Sequence, residues 1–155
     1  MFPVTDETPD TTLVISHARR RFLNCKANLK RKPEAGAVFL RAPQTGKDGT
    51  GPQSMWVWPG LRVIGAGGQM KKGVFAKIES VSEDGDVVLD NGIALSASQA
   101  CRSMRLAYAM TYPGAQGLTL QGRVRLDCTE SAHFSLKHLY VGASRCTAHN
   151  LCEVV

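Results

Sequence analysis

The feature that most constrains the fold is a short apolar strand that stops in a sharp turn, with an arginine-bearing helix further along the chain. Residues 106–110, Leu-Ala-Tyr-Ala-Met, run into Thr111 and a Pro-Gly turn. A run that is apolar without alternation is typical of a strand covered on both faces, as in a parallel sheet. Such a sheet needs helices on its faces, and the stretch 139–147, which carries Arg145, can supply one. The sequence therefore predicts an α/β fold.

A second unit of strand and helix opens the chain. Residues 11–16, Thr-Thr-Leu-Val-Ile-Ser, form a β-branched run that predicts another buried strand. No helix breaker follows until Pro33, so we expect a helix over 17–32, with Ser16 as its N-cap. Its apolar residues recur at helical spacing: Phe22, Cys25 and Leu29.

Basic side chains crowd the start of this helix. His17, Arg19 and Arg20 would lie in its first turn, where exposed N–H groups favour an anion. A solvated basic helix face is the equally simple interpretation of each of them.

The middle of the chain has the pattern of a small β-barrel. Five short apolar runs lie between 55 and 96, and Gly-containing turns separate the last of them at 83–85 and 91–92. Trp56 and Trp58 would share one face of the first strand. They could form a platform for stacked bases, although such a pair is more often part of a core.

The remaining stretches complete the expected sheet. Residues 97–104 read as a linker or helical turn, 123–128 and 151–155 as strands, and 133–146 as the last long helix. Arg145 would lie opposite the apolar stripe of that helix and face outward. The stripe comprises Leu136, Leu139, Tyr140, Ala143 and Thr147.

Length and composition narrow the classes of protein. A chain of 155 residues is enough for one compact domain with a small appended barrel. Its net charge of +6 favours polyanionic partners, nucleic acid first, although simple solubility would explain it as well. The five cysteines show no zinc-site spacing, and the acidic, proline-broken start is no signal peptide. No apolar run approaches the ~18 residues of a membrane span. A reducing compartment, cytoplasmic or nuclear, is expected rather than secretion.

The strand-to-turn stretch and the arginine helix together resemble motifs V and VI of superfamily 1 helicases of the RecD and Pif type. In that family a strand ends in Thr, a polar run closes on Gln-Gly-x-Thr, and a Tyr-Val-Ala-x-Ser-Arg helix follows. The chain has Tyr112-Pro-Gly-Ala where the family usually has His-Lys-Ser, and Gly142 where Ala is commoner. The first strand and its helix, which carries Asn24, resemble motif IV. The residues that match motifs V and VI are Thr111, Gln116, Gly117, Thr119, Tyr140, Val141, Ser144 and Arg145.

The resemblance implies the second RecA-like domain of such a helicase: a parallel sheet with flanking helices over 11–54 and 97–155, an inserted small β-barrel over 55–96, and a flexible start over 1–10. It assigns roles as follows. Arg145 would be the arginine finger, Gln116, Gly117 and Arg20 would bind the nucleotide, and Thr111 and His17 would bind nucleic acid.

The family's ATP and Mg²⁺ are held by a first RecA-like domain that is not found in this stretch. Gly46-Lys47 has Arg41 and Asp48 where a phosphate loop needs Gly and Ser or Thr. ATP and magnesium would thus be bound only with a Walker-containing domain supplied in cis or in trans. The isolated chain should bind neither and hydrolyse nothing. Its other partner would be single-stranded or junction DNA, with no membrane.

Two other interpretations stay open. The chain could be a non-catalytic nucleic-acid-binding or scaffold module derived from a helicase domain, in which the basic surface matters and the cleft does not. It could also be an unrelated barrel protein whose motifs match by coincidence.

Overall fold

The computed structural model describes residues 9–43, 51–127, 135–146 and 152–154. The elements are, in chain order, β1 Thr11–Val14, α1 His17–Arg31, β2 Val38–Leu40, β3 Met55–Val57, β4 Arg62–Gly65, β5 Phe75–Val81, β6 Val87–Leu89, β7 Ala94–Leu95, α2 Ala97–Ser103, β8 Met104–Leu106, β9 Ala109–Thr111, α3 Tyr112–Ala115, β10 Val124–Leu126, α4 Leu136–Arg145 and β11 Cys152–Val154. No helix of the described residues is both long and apolar enough to cross a membrane.

The chain forms two compact units. The first unit comprises the residues up to Leu23 and those from Tyr108 onward, and the second comprises Asn24–Ala107. The division falls within α1 and differs from the predicted domain bounds of 11–54, 55–96 and 97–155. Compactness does not test which segments form a domain of the expected kind, so those bounds stay a prediction.

The first unit contains a four-stranded parallel sheet in the order β11-β10-β1-β9. Its strands are buried as the apolar runs predict: Leu13 and Val14 of β1 and Leu126 of β10 are inaccessible to solvent. Ser16 caps α1, because its Oγ accepts the backbone N–H of Arg19 at 3.1 Å. The predicted α/β class, the first strand and its capped helix are confirmed.

The apolar face predicted for α1 is not its buried face. The three residues that recur at helical spacing are all exposed: Phe22, Cys25 and Leu29.

The second unit contains the predicted antiparallel strands. A five-stranded sheet runs β7-β6-β5-β4-β8, and its curled, half-barrel form has β7 and β8 as edges in the part of the chain that the structure describes. Both predicted turns are present, with N–H···O bonds from Gly85 to Ser82 and from Gly92 to Leu89. The two glycines have φ of +88° and +87°, which a side chain would strain.

One predicted strand is in fact two. The apolar run over 106–110 was expected to be a single strand of the parallel sheet. Instead Leu106 ends β8, which pairs with β4 in the antiparallel sheet, whereas Ala109 begins β9, which pairs with β1. Both segments are buried, so their residues have the same apolar character on either side of Ala107-Tyr108. Hydrophobicity cannot locate a change of sheet inside a continuous apolar run.

A second correction concerns β3, predicted as the first barrel strand. It pairs instead with β2, in a separate two-stranded antiparallel sheet. Met55 and Val57 face the core, but Trp56 between them is only half buried. Trp58 is half buried as well, so neither tryptophan is a fully buried core residue.

The apolar stripe predicted for the last helix is also shifted. Leu136 begins α4 and is 83% exposed, so it is not a core residue. Among the positions of α4 whose burial is described, Gly142 is the buried one, and periodicity did not count it because it has no side chain. Of the other stripe residues, Leu139 and Ala143 are half buried, whereas Thr147 and the side chain of Tyr140 lie outside what is described.

Candidate functional site

The turn after β9 is organised by Thr111. Its Oγ1 accepts the N–H of Gly114 at 3.1 Å and thereby caps the short helix α3, in which Pro113 occupies an N-terminal position. Thr111 is 8% exposed. The hydroxyl that was expected to lie near nucleic acid therefore shapes the turn, and its predicted contact stays a prediction.

The loop after α3 carries the next two predicted site residues. Gln116 ends the helix, with its N–H bonded to the carbonyl of Pro113 at 3.2 Å, and both Gln116 and Gly117 are exposed. Gly117 has φ of +85°, and a Cβ placed on it would meet nothing within 4 Å. The backbone here is accessible to a ligand that approaches closely, which is what a glycine at this position permits.

Arg145 is fixed against that loop. Its Nη1 donates to the carbonyl oxygen of Leu118 at 3.2 Å, and the backbone N–H of Leu120 donates to the carbonyl of Arg145 at 2.8 Å. Ser144 holds the other side of the guanidinium, because its Oγ accepts from Nε at 3.2 Å and from Nη2 at 3.0 Å. The predicted residues Arg145, Gln116 and Gly117 therefore lie at one place in the first unit.

The sequence predicted that Arg145 would face outward. In the structure its side chain is half buried. The bonds formed with described residues use three of its five N–H donors. Among the described residues, two donors have no such partner. A guanidinium held in one orientation, with donors directed away from its supports, is suited to meet phosphate oxygens.

The start of α1 supplies the remaining candidates. His17 is half buried and Arg20 is 4% exposed, so Arg20 is a buried arginine and not a surface cation. Arg19, which was not assigned a role, forms an ion pair with Asp127 at 3.0 Å. The nucleotide contact of Arg20 and the nucleic-acid contact of His17 stay predictions.

Asp127 was missed, although it follows the C-terminal end of β10. Besides the ion pair with Arg19, its carbonyl accepts the hydroxyl of the buried Tyr112 at 2.9 Å. The sequence signal was present, because an acidic residue directly after an apolar parallel strand lies at the edge where such folds bind ligands. The predicted strand covered 123–128, so Asp127 was counted as a strand residue and its position after the strand end was not recognised.

Two thiols adjoin the end of the arginine helix. A hydrogen bond between Cys146 and Cys152 lowers the pKa of Cys146 and, with burial, raises the pKa of Cys152. Cys101 is also buried, Cys25 is exposed, and the four described cysteines are free. Cys128 lies outside the described residues. The described residues include no group of three or more His, Cys, Asp or Glu side chains arranged to hold a metal ion.

Gly142 lets α4, the helix that carries Arg145, approach the sheet. A Cβ built there would lie 2.5 Å from Cδ2 of Leu126 and 3.1 Å from Cε1 of Tyr112, and both of those side chains are buried. A residue without a side chain at position 142 is therefore matched to its neighbours.

We expect Gly142→Ala to lower the free energy of unfolding by about 1 kcal/mol, because overpacking costs more than the better helix propensity of alanine returns. In a Leu126→Val background the contacts with both Cδ methyls of Leu126 are absent and the 3.1 Å contact with Tyr112 remains, so the same change should be clearly less destabilising. Urea unfolding of the four proteins measures this coupling. Equal effects in the two backgrounds would contradict the packing explanation.

Neither a protein-family model nor a curated protein sequence matches the chain. Solved structures do. Bacteroides Pif1 bound to single-stranded DNA has 16% identity and a TM-score of 0.61 over 99% of this chain and 42% of that one. Pif1 helicase from Candida albicans has 14% identity and a TM-score of 0.57 over 100% and 47%. Bacteroides Pif1 with ADP-AlF3 and single-stranded DNA has 16% identity and a TM-score of 0.58 over 97% and 41%.

Because the sequence identities are this low, the similarities show a shared fold and nothing further. They extend over nearly the whole chain, which itself spans less than half the length of the helicases it matches. The described architecture, a parallel sheet together with a curled antiparallel sheet, is thus one that occurs within Pif1 helicases. The chain therefore has a fold similar to that of part of a Pif1 helicase.

Proposed function

We propose that this chain is the second RecA-like domain of a superfamily 1 DNA helicase, and that it supplies Arg145 to an ATP molecule held by a Walker-containing domain. The observation that carries the proposal is the fixed guanidinium of Arg145, supported by Leu118 and Ser144 beside the exposed loop at Gln116 and Gly117. The likeness in fold to Pif1 helicases supports it independently.

The chemistry of these residues fits one part of an ATPase. In phosphoryl transfer the protein mainly positions groups and stabilises charge on the transferred phosphoryl, for which an arginine finger is suited. Arg145 is always charged and oriented, and the backbone at Gly117 is open to a phosphate-bearing ligand. Magnesium is usually bound by one or two carboxylates together with the phosphates of the nucleotide. In the proposed arrangement the metal and the β- and γ-phosphates would be held by the Walker-containing domain.

Nucleic acid is the second ligand of the proposal. The net charge of +6 favours a polyanion, and the similar Bacteroides Pif1 structures contain single-stranded DNA. In the proposed arrangement Thr111 and His17 lie on the nucleic-acid side of the domain, whereas Gln116, Gly117 and Arg20 belong to the nucleotide side.

The test is reconstitution with the phosphate-loop domain encoded by the same gene or by a neighbouring reading frame. ATP turnover by that domain should be slow alone and should rise when this chain is joined or added, with further stimulation by single-stranded DNA. The chain alone should show none. Unchanged turnover with retained DNA binding would instead favour the alternative, a non-catalytic nucleic-acid-binding module derived from a helicase domain. A genome without such a phosphate-loop domain would also contradict the proposal.

A further inference from the structure

An exposed aromatic pair lies on the outer face of the two-stranded sheet in the second unit. Phe39 and Trp56 are directly opposite each other in the register of β2 and β3, and their ring centroids are 5.2 Å apart. The neighbouring positions Leu40, Met55 and Val57 are buried and form the inner face. Phe39 is 44% exposed and Trp56 is half buried. Cross-strand pairing explains why the rings touch, but it does not explain why they face water.

One cation lies against this pair, and the surrounding stretch of sequence is basic. The Nζ of Lys32 lies 4.2 Å from the centroid of the Trp56 ring, within the range of a cation–π contact. The stretch 26–41 has one acidic residue, Glu34, and five basic ones, all of them exposed: Lys26, Lys30, Arg31, Lys32 and Arg41. This exposed stretch therefore carries a net positive charge, which is complementary to a polyanion.

The backbone under the aromatic pair is already occupied. Asn28, which is 2% exposed, accepts the N–H of Trp56 at 2.8 Å and donates to its carbonyl at 2.9 Å. A peptide that added a strand at this edge of β3 would need those same two groups. The arrangement thus holds the backbone of Trp56 in place and disfavours strand addition by a protein partner.

From these contacts we infer that Lys32, Phe39 and Trp56 form a stacking site for the unpaired bases of single-stranded nucleic acid. The rings offer flat apolar faces to bases, and the lysines and arginines neutralise the adjoining phosphates. A duplex hides its base faces by stacking, so the site selects single strands. The inference rests on the proposed nucleic-acid binding but assigns it to residues that the helicase resemblance did not include.

The test uses the full chain with Trp58→Phe, which leaves Trp56 as its single tryptophan. Two probes are compared, an oligothymidylate of roughly 12 nucleotides and an abasic chain with the same number of phosphates. The oligothymidylate should bind more tightly and should quench Trp56 fluorescence, whereas the abasic chain should leave it unquenched. Equal quenching by both probes, or by neither, would overturn the inference.

Variants separate the contribution of ring stacking to binding from the contribution of charge. Phe39→Leu should weaken binding of the oligothymidylate about tenfold and leave that of the abasic chain unchanged, whereas Phe39→Tyr keeps the ring and should retain affinity. Lys32→Gln should weaken both probes and reduce the salt slope by about 1. The matched control is Phe22→Leu, another exposed phenylalanine with a cation, Arg19, near its ring, and it should have no effect.

The failures are distinguishable. If the wild-type chain binds neither probe at low salt, the proposed nucleic-acid binding fails along with this site. If it binds the oligothymidylate and Phe39→Leu binds equally well, or if Phe39→Leu loses the same affinity for both probes, the stacking site alone is wrong. Binding of a protein with loss on Phe39→Leu, in the absence of any effect on oligothymidylate, would assign the surface to a protein partner instead.

Discussion

Arg145→Ala should slow ATP turnover by the reconstituted enzyme about a thousandfold, because an arginine finger contributes on the order of 10³ or more to phosphoryl transfer. The guanidinium is already oriented by Leu118 and Ser144, so in the proposed function its charge would meet the transition state without reorganisation. The loss should appear in kcat, measured with saturating ATP and single-stranded DNA, and much less in KM for ATP.

Two companion variants separate charge from geometry. Arg145→Lys keeps a positive charge but loses the planar fork and the Nη1 bond to Leu118, so turnover should stay well below that of the wild type. Ser144→Ala removes one support of the guanidinium and should cause a smaller loss. Because Arg145 is only half buried, Arg145→Ala should cost about 1 kcal/mol of stability. Unchanged kcat, or a loss of folding that accounts for the effect, would leave the arginine a structural residue.

Asn28→Ala should lower the free energy of unfolding of the second unit by about 3 kcal/mol. The substitution leaves both the N–H and the carbonyl of Trp56 without their partner in a partly buried place, and each such group costs about 1–3 kcal/mol. Urea unfolding followed by tryptophan fluorescence measures this unit, because both tryptophans lie in it.

Asn28→Asp is the informative second variant. It is nearly isosteric and keeps the acceptor for the N–H of Trp56, but its carboxylate faces the carbonyl that the amide nitrogen had satisfied, so it should remain clearly destabilised. Lys26→Ala, on the exposed part of the same helix, is the control and should change stability by no more than about 0.5 kcal/mol. If Asn28→Ala resembled this control, the amide bonds to β3 would have no energetic importance.

The sequence predicted the elements whose pattern is local. The β-branched run before Ser16, the breaker-free stretch up to Pro33 and the glycine turns at Gly85 and Gly92 each depend on neighbouring residues, and each was found as expected. Local sterics and hydrogen bonding determine such features, so a single sequence carries them.

The predictions that were wrong concern features that depend on contacts between residues far apart in the sequence. The apolar run at 106–110 divides between two sheets because its partners, β4 and β1, lie in different units. The buried face of α4 is set by Gly142 against Leu126, and a residue without a side chain adds nothing to an apolar stripe. From the sequence, Asn28 is an ordinary polar position of a helix, because its role depends on the hydrogen bond with Trp56 of β3.

The candidate site was predicted in part. The family's motifs named Gln116, Gly117 and Arg145, and the structure brings these three together through the contact of Arg145 with Leu118. The supporting carbonyl of Leu118 could not be predicted, because any residue supplies a backbone oxygen. The exposure of Phe39 was equally hidden, since an aromatic residue in a strand indicates a core position as readily as a surface one.

The proposal that Arg145 completes an ATP site is tested most directly with a transition-state analogue. The Walker-containing domain, loaded with ADP and aluminium fluoride or with ADP alone, is mixed with this chain, and release of the trapped nucleotide is followed. The wild-type chain should slow release from the aluminium fluoride complex by at least about tenfold while leaving release of ADP alone nearly unchanged, because the arginine meets charge that develops only in the transition state. Arg145→Ala should abolish the difference. Equal release with the wild-type and Arg145→Ala chains would contradict the arginine-finger function.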